Sequence, residues 1–414
     1  MDVRKLKQDF STLLKKIYQG KPFEFAVGGS CPNFPSPGLT ITNYGRIALP
    51  ILETNIGDLE KYFVQAPYGL GEQTLVDTNV RDSLQLDPEK FQINNPKFND
   101  AVDRLVEQVK KSLDCADLKV TTHLYKLLLY KKGGHFKPHR DTEKYPGMFA
   151  TLILQLPSVF TGGDLIIKHS NHEKKVVFAT ADAEFSCMYA AHYADCEHEL
   201  TEITSGYRLA LVYSLCCESN RVIPTPPNQP TQQLAEMFKQ MSEVMAEPQV
   251  LGWCLDHCYS EKSIAKKGVK CFKGGDKYIY SNLQGANALL EEGKKMDFTI
   301  VEAQRTDHLY GLCTRQYGGR STFPGDCFYD DDLLSNLTPE YDYEVYSIEG
   351  HSINMDGLPK PEDMCEITVN GSCDFWGDFY KGKCSGPSGN EGSYYTSWYR
   401  RFILMFFPAD QELI

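Results

Sequence analysis

The sequence predicts an α+β protein dominated by β structure. Three observations point there. Seven short β-rich segments follow one another between residues 120 and 215, separated by turn residues, which is the spacing of a sandwich or barrel. Two long amphipathic stretches flank that region, at 97–113 and 231–246, and a third opens the chain at 2–18. A Pro-rich segment, residues 221–230, breaks the pattern and reads as a stiff linker.

The elements follow in order. Leu6, Phe10, Leu13, Leu14 and Ile17 make one helical stripe near the start. Residues 22–50 are rich in Gly and Pro and predict irregular connections with short strands. Phe98, Ala101, Val102, Leu105, Val106, Val109 and Leu113 fall on one side of the second helix, which should pack on the outside of a sheet. The expected strands are Val120–Tyr130, Phe149–Leu156, Asp164–Lys168, Lys174–Phe178, Phe185–Ala190, His198–Ile203 and Tyr207–Leu215. Gly162-Gly163 and Ser205-Gly206 supply tight turns. Beyond the linker, Gly-rich loops alternate with short strands, and the near-continuous apolar run after Arg401 should be buried on both faces. No short-period repeat is present. The expected divisions are an N-terminal supporting region (1–118), a core (119–220) and a C-terminal part (221–414).

Bulk properties exclude several classes. The chain of 414 residues carries a formal net charge of −12, which argues against a broad nucleic-acid footprint. Lys131, Lys132, Lys137 and Arg140 still gather in one stretch, where solvated loop charges are the plainer reading. The polar N-terminus has no signal-peptide pattern, and the longest apolar run is too short to span a bilayer. The fourteen cysteines show no framework spacing, so free thiols in the cytoplasm or nucleus are expected. Cys254-x-x-x-Cys258 around His257 lacks a second pair, and together with Cys216-Cys217 it reads as buried free cysteine.

The chemistry lies in His139-x-Asp141, His198 and Arg208. Two histidines and one carboxylate occupy one face of an octahedral iron(II) ion and leave three positions open. On an extended strand His139 and Asp141, at i and i+2, leave the same face while Arg140 points away. Arg208, ten residues past His198 on an apolar strand, offers a fork of donors for a carboxylate. Other histidines fit less well: His135 should lie on the loop entering the strand, His169 and His172 in a solvated polar turn, and His123 facing outward. His192 precedes His198 but lacks the nine-residue run to an arginine.

From Tyr130 to Leu215 the chain resembles the catalytic core of the iron(II)- and 2-oxoglutarate-dependent dioxygenases, in their prolyl 4-hydroxylase-like branch. The matching text is Leu129-Tyr-Lys-Lys-Gly-Gly-His-Phe-Lys-Pro-His-Arg-Asp-Thr, Ala150-Thr-Leu-Ile-Leu-Gln-Leu, Thr161-Gly-Gly-Asp-Leu, Glu197-His-Glu-Leu and Gly206-Tyr-Arg-Leu-Ala-Leu, about a fifth of the chain. Gly389-Asn-Glu-Gly and Trp398-Tyr-Arg-Arg resemble eukaryotic proteins carrying this domain; that extends the resemblance over nearly the whole length but brings no substrate with it.

The resemblance implies a double-stranded β-helix, or jelly roll, with Fe(II) held by His139, Asp141 and His198 and with Arg208 on the distal carboxylate of 2-oxoglutarate. Tyr130 corresponds to a pocket tyrosine, while Gln155 stands where some members carry a second tyrosine. An amide can donate to the same carboxylate. The implied reaction couples decarboxylation of 2-oxoglutarate to succinate with hydroxylation of a C–H bond by O2, supported by ascorbate, and Asp141 is then a ligand rather than a base. A prolyl residue of a protein is the implied substrate, with the loop Thr142–Gly147 helping to hold a peptide. Two alternatives remain open: an oxygenase for a small molecule or alkylated nucleobase, and a catalytically silent interaction protein. Residues 221–414 are either a degenerate second barrel or an α+β extension. The sequence carries no signal of oligomeric state.

Overall fold

A computed structural model describes residues 3–20, 24–70, 73–169, 172–217, 222–244, 250–310, 338–353, 368, 370, 376, 381–385 and 394–409. The chain divides into two compact units, 22–221 and a second one formed by 1–21 with 222–414. This differs from the sequence expectation at the N-terminus. The first helix, α1 (Val3–Gln19), belongs with the C-terminal unit, and residues 22–118 belong with the expected core. The reason is where apolar faces find partners, which local sequence does not encode.

In the unit 22–221, the elements that position the candidate site are β1 (Ala26–Cys31), β2 (Val64–Gln65), β3 (Arg81–Asp82), β4 (Leu84–Leu86), helix α2 (Pro96–Ser112), β5 (Thr121–Tyr130), β6 (His135–His139), β7 (Met148–Gln155), β8 (Phe160–Gly162), β9 (Leu165–His169), β10 (His172–Val176), β11 (Cys187–Tyr193), β12 (Glu197–Leu200), β13 (Ile203–Gly206) and β14 (Arg208–Cys216). They form a seven-stranded sheet in the order β1-β11-β7-β14-β5-β4-β2 and a five-stranded sheet in the order β10-β9-β12-β6-β3, with β8 paired to β13. Every strand pair is antiparallel.

Alternation sets which side chains face the site. On β14, Arg208, Ala210, Val212 and Ser214 share the inner face, and their register partners on β7 include Ser214↔Thr151 and Ala210↔Gln155. The opposite face meets α2, as the helical stripe predicts: Gln108 Nε2 donates to the Tyr189 hydroxyl at 3.3 Å. Asn95 caps α2 by accepting from Lys97 N at 3.1 Å, and Pro96 sits at the first helical position, where its missing N–H costs nothing. Phe98, Val102, Leu105, Val106 and Val109 are buried, each contributing about 1.5–3 kcal/mol of apolar burial.

The run expected as one strand over His198–Ile203 is two, β12 and β13, because the chain leaves the five-stranded sheet after Leu200 to pair with β8. His135 lies inside β6 rather than before it, and His169 and His172 pair across the β9–β10 hairpin.

In the other unit, α1 and two further helices, α3 (Gln229–Val244) and α4 (Gly274–Asn287), share a core with one sheet of β15 (Leu251–Cys254), β16 (Met296–Tyr310), β17 (Thr338–Ser347), β18 (Lys381–Ser385) and β19 (Tyr394–Pro408). The order is β15-β19-β16-β17, with β18 also on β19. Phe402–Phe407 are buried, as the apolar run predicts. Cys254 is half-buried and Cys258 exposed, so the reading of that pair as buried is corrected; Cys216 and Cys217 are buried. Gly389-Asn-Glu-Gly lies outside the described residues.

Candidate metal centre

β6 and β12 are neighbours, and their register pairs His139 directly with His198. One ligating atom from each of His139, Asp141 and His198 lies within 4.8 Å of the others. His198 Nε2 stands 3.9 Å from Asp141 Oδ1, and the two imidazole centroids are 4.2 Å apart. The three residues that the sequence singled out therefore converge.

The route to that convergence differs from the expected one. β6 ends at His139, so Asp141 does not reach the centre by strand alternation. Its backbone N–H donates to Ala194 O at 3.1 Å, and Thr151 on β7 donates to Asp141 Oδ2 at 2.5 Å. A loop carboxylate is turned inward by the opposite sheet.

Tautomers are set by the main chain. His139 Nδ1 lies 2.9 Å from Lys137 O, and His198 Nδ1 lies 3.1 Å from Cys196 O. A carbonyl only accepts, so each Nδ1 carries the proton and each Nε2 presents its lone pair. This is the form a divalent metal needs. Burial, then the neighbouring His198, bring the His139 pKa down to about 3. Burial acts upward on the Asp141 carboxyl, but His198, His192, His139 and the Thr151 hydroxyl outweigh it and hold it at about 2. The neutral His139 imidazole and the Asp141 carboxylate thus face each other at neutral pH. Nitrogen and carboxylate donors with positions left open suit iron(II).

The rings form a column. Phe136 stacks on His139 at 3.4 Å, His139 meets His198, and His198 meets His192 at 4.2 Å. His192 is fully buried; burial, then His198, lower its pKa to about 4. Sequence spacing set it aside as a ligand, and the structure makes it the neighbour of one.

Arg208 and Gln155 also come together, on the inner face that carries Thr151. Arg208 Nε donates to Gln155 Oε1 at 3.0 Å, its Cζ lies 4.4 Å from the Phe178 ring centroid and 5.4 Å from that of Tyr130, and it is 1% exposed. Arg208 Nη2 and Gln155 Nε2 are buried with no hydrogen-bond partner among the described residues. Burial lowers the Arg208 pKa to about 10. Among the described residues this buried guanidinium has an amide and two rings as neighbours and no carboxylate in ion-pair range, and it and Gln155 each keep an open donor. One carboxylate would satisfy both, which fits the distal group of a 2-oxo diacid.

Thr151, Phe136 and Phe178 were not picked out by sequence. Thr151 carried a signal: it occupies the inner-face phase of β7 that it shares with Gln155. Phe178 follows β10 and shows no local signature of its position under Arg208.

No protein-family model matches the chain, and no curated protein matches it. Among solved structures it is similar to a Pseudomonas putida prolyl-4-hydroxylase, at 15% identity and TM-score 0.31, covering 49% of this chain and 99% of that one. It is similar to a Trichoplax adhaerens prolyl hydroxylase in complex with a hypoxia inducible factor oxygen degradation domain peptide fragment, at 14% identity and TM-score 0.31, covering 53% and 94%. A Burkholderia pseudomallei oxidoreductase of the 2OG-Fe(II) oxygenase family matches at 16% identity and TM-score 0.26, covering 51% and 90%. At such scores these likenesses carry no part of the assignment, which rests on the residues themselves.

Proposed function

We propose that the chain is an Fe(II)- and 2-oxoglutarate-dependent dioxygenase that hydroxylates a C–H bond, with a prolyl residue of a protein as its substrate. The observation that carries this reading is the unneutralised, buried Arg208 on the same inner face that supplies Thr151 to the Asp141 carboxylate. A metal triad alone serves many purposes; a triad with a buried carboxylate receptor suits a chelating 2-oxo diacid. We read the two sheets as a double-stranded β-helix.

Each residue then has a task. His139, Asp141 and His198 hold the metal through two Nε2 atoms and a carboxylate oxygen. Thr151 fixes the carboxylate, and the carbonyls of Lys137 and Cys196 keep both imidazoles in the ligating tautomer. Arg208 Nη2 and Gln155 Nε2 receive the distal carboxylate, while Phe178 and Tyr130 exclude water around it. Bound iron and 2-oxoglutarate would supply the activation of O2, with succinate and CO2 as co-products and ascorbate keeping the metal reduced.

The loop 142–147 would contribute to holding a peptide beside the centre. We place the protein in the cytoplasm or nucleus, where fourteen cysteines without framework spacing stay reduced. Among the described residues no helix is long and apolar enough to cross a membrane.

The test is turnover of 2-oxoglutarate to succinate by the purified chain with Fe(II) and ascorbate, followed by mass spectrometry for a one-oxygen gain on captured proteins. His139→Ala should abolish succinate formation. Unchanged turnover in that variant would defeat the reading.

A further inference from the structure

The cations beside the centre have no individual task in the function proposed above. Lys126 on β5 and Lys144 in the loop after β6 approach the ring of Tyr125, with Nζ atoms 5.1 and 5.9 Å from its centroid. Arg81 on β3 lies over Phe136, with Cζ 4.5 Å from the ring that stacks on His139. Tyr145 stacks on His123 at 4.6 Å and adds a second aromatic surface. Partial burial and the charges of Lys126 and Arg81 lower the Lys144 pKa, with Asp141 acting against them, so these cations sense one another.

Their counter-ions are few. Lys126 pairs with Asp87 at 3.2 Å. Arg81 uses its donors on neutral oxygens, Nε on Ser83 Oγ at 3.0 Å and Nη1 on Pro67 O at 2.7 Å. Lys144 Nζ donates to the Thr142 hydroxyl. Among the described residues neither Arg81 nor Lys144 has a carboxylate within ion-pair distance. The acid whose charge reaches Lys144 is Asp141, and a bound dication would turn that carboxylate into part of a positive centre. This local excess of positive charge runs against a chain whose formal net charge is −12.

We propose that the substrate segment is acidic: a peptide with a Glu or Asp carboxylate close to the oxidised residue, taken by Arg81 and Lys144, with its chain against Tyr125 and Tyr145. The proposal rests on the oxygenase reading and narrows its substrate class. Arg81, held in place by its bonds through Nε and Nη1, offers Nη2 to a carboxylate, and Lys144 a mobile point charge on a loop that can follow it. A nucleic acid is disfavoured, because a phosphodiester chain needs an extended basic track and the acidic remainder of the protein repels it.

The experiment measures binding rather than turnover. Fluorescein-labelled proline-centred nonapeptides carrying Glu, Gln or Lys on both sides of the proline are titrated against the full chain at low salt, with and without Zn(II) and 2-oxoglutarate. The Glu peptide should bind about tenfold more tightly than the Gln peptide, with the Lys peptide weakest, and the advantage should shrink as salt rises. Arg81→Gln combined with Lys144→Gln should erase it. Lys144→Gln alone, on an exposed loop, should cut it several-fold without threatening the fold. Equal binding of the Glu and Gln peptides, or a preference that survives the double variant, overturns the proposal. So does competition by free N-acetylglutamate as effective as by the peptide, which would mark a small-acid site. Absence of succinate formation by the wild-type chain would instead sink the oxygenase reading and leave a measured peptide preference standing.

Discussion

The guanidinium of Arg208 and the side-chain amide of Gln155 meet at 3.0 Å on the inner face, and each keeps a buried donor with no acceptor among the described residues. A cation so placed destabilises the ligand-free fold and strengthens the binding of an anion. Arg208→Met should therefore leave the thermal midpoint of the ligand-free protein unchanged or raise it. In the wild type, 2-oxoglutarate at about a hundred times its Kd should add about 2.7 kcal/mol of stability, and this gain should vanish in the variant. Differential scanning fluorimetry with and without the diacid reads both. A drop in midpoint with the ligand response retained would show that Arg208 is a structural residue.

Thr151 supplies the hydrogen bond that turns Asp141 inward. Thr151→Val keeps the shape and removes the donor. Metal affinity should fall about 10- to 100-fold, as for other groups that orient a ligand. A competition titration with a chromophoric chelator checks this, and an unchanged affinity would leave the main-chain bond from Asp141 to Ala194 as sufficient.

Acid should unfold the metal-free protein through its histidines. Folded His139 and His192 titrate at about 3 and about 4, against about 6.5 in an unfolded chain. Between those values the unfolded state binds more protons, so stability is full above pH ~6.5 and declines as pH falls toward about 4. Each histidine contributes a slope of up to about 1.4 kcal/mol per pH unit. His192→Phe should make the urea midpoint less steep in pH across that window. An identical slope in variant and wild type would remove His192 from the account.

Gly206, two residues before Arg208, has φ +74° and no room for a side chain: an added Cβ would lie 2.1 Å from Val159 O. Gly206→Ala should cost about 2 kcal/mol or more in urea unfolding. Because the same turn launches β14, its 2-oxoglutarate response should weaken as well. A stability loss with an unaltered response would mean that the turn holds the fold but does not place Arg208.

Much of the centre was legible because its logic is local. His139-x-Asp141, a following histidine, and an arginine ten residues later needed only spacing and residue chemistry. The inward turn of Asp141 was not legible, since it depends on Thr151 and Ala194, which reach it through strand pairing. His192 was passed over for the same reason: linear spacing says nothing about a ring meeting His198 from the neighbouring sheet. The seven expected strands fall within a few residues of observed ones, yet β12 and β13 read as one because leaving a sheet for a new partner leaves no mark in polarity, and β1 to β4 and β8 were given no bounds. The Arg81 cation was missed too, since β3 is only two residues long and becomes significant through its pairing with β6.

Helix α1 has a bearing on how this chain is made and cut. Its apolar stripe meets residues more than two hundred positions later: the Phe10 ring lies 5.6 Å from that of Phe238 and 5.8 Å from that of Phe406. During synthesis Leu6, Phe10, Leu14 and Ile17 emerge ahead of 22–221 and wait through the whole of that unit before their shelter exists. A nascent chain is exposed to chaperones and to aggregation over that interval. An excised unit spanning 22–221 should consequently stay in solution better than a fragment spanning 1–221, which would display four bare apolar side chains.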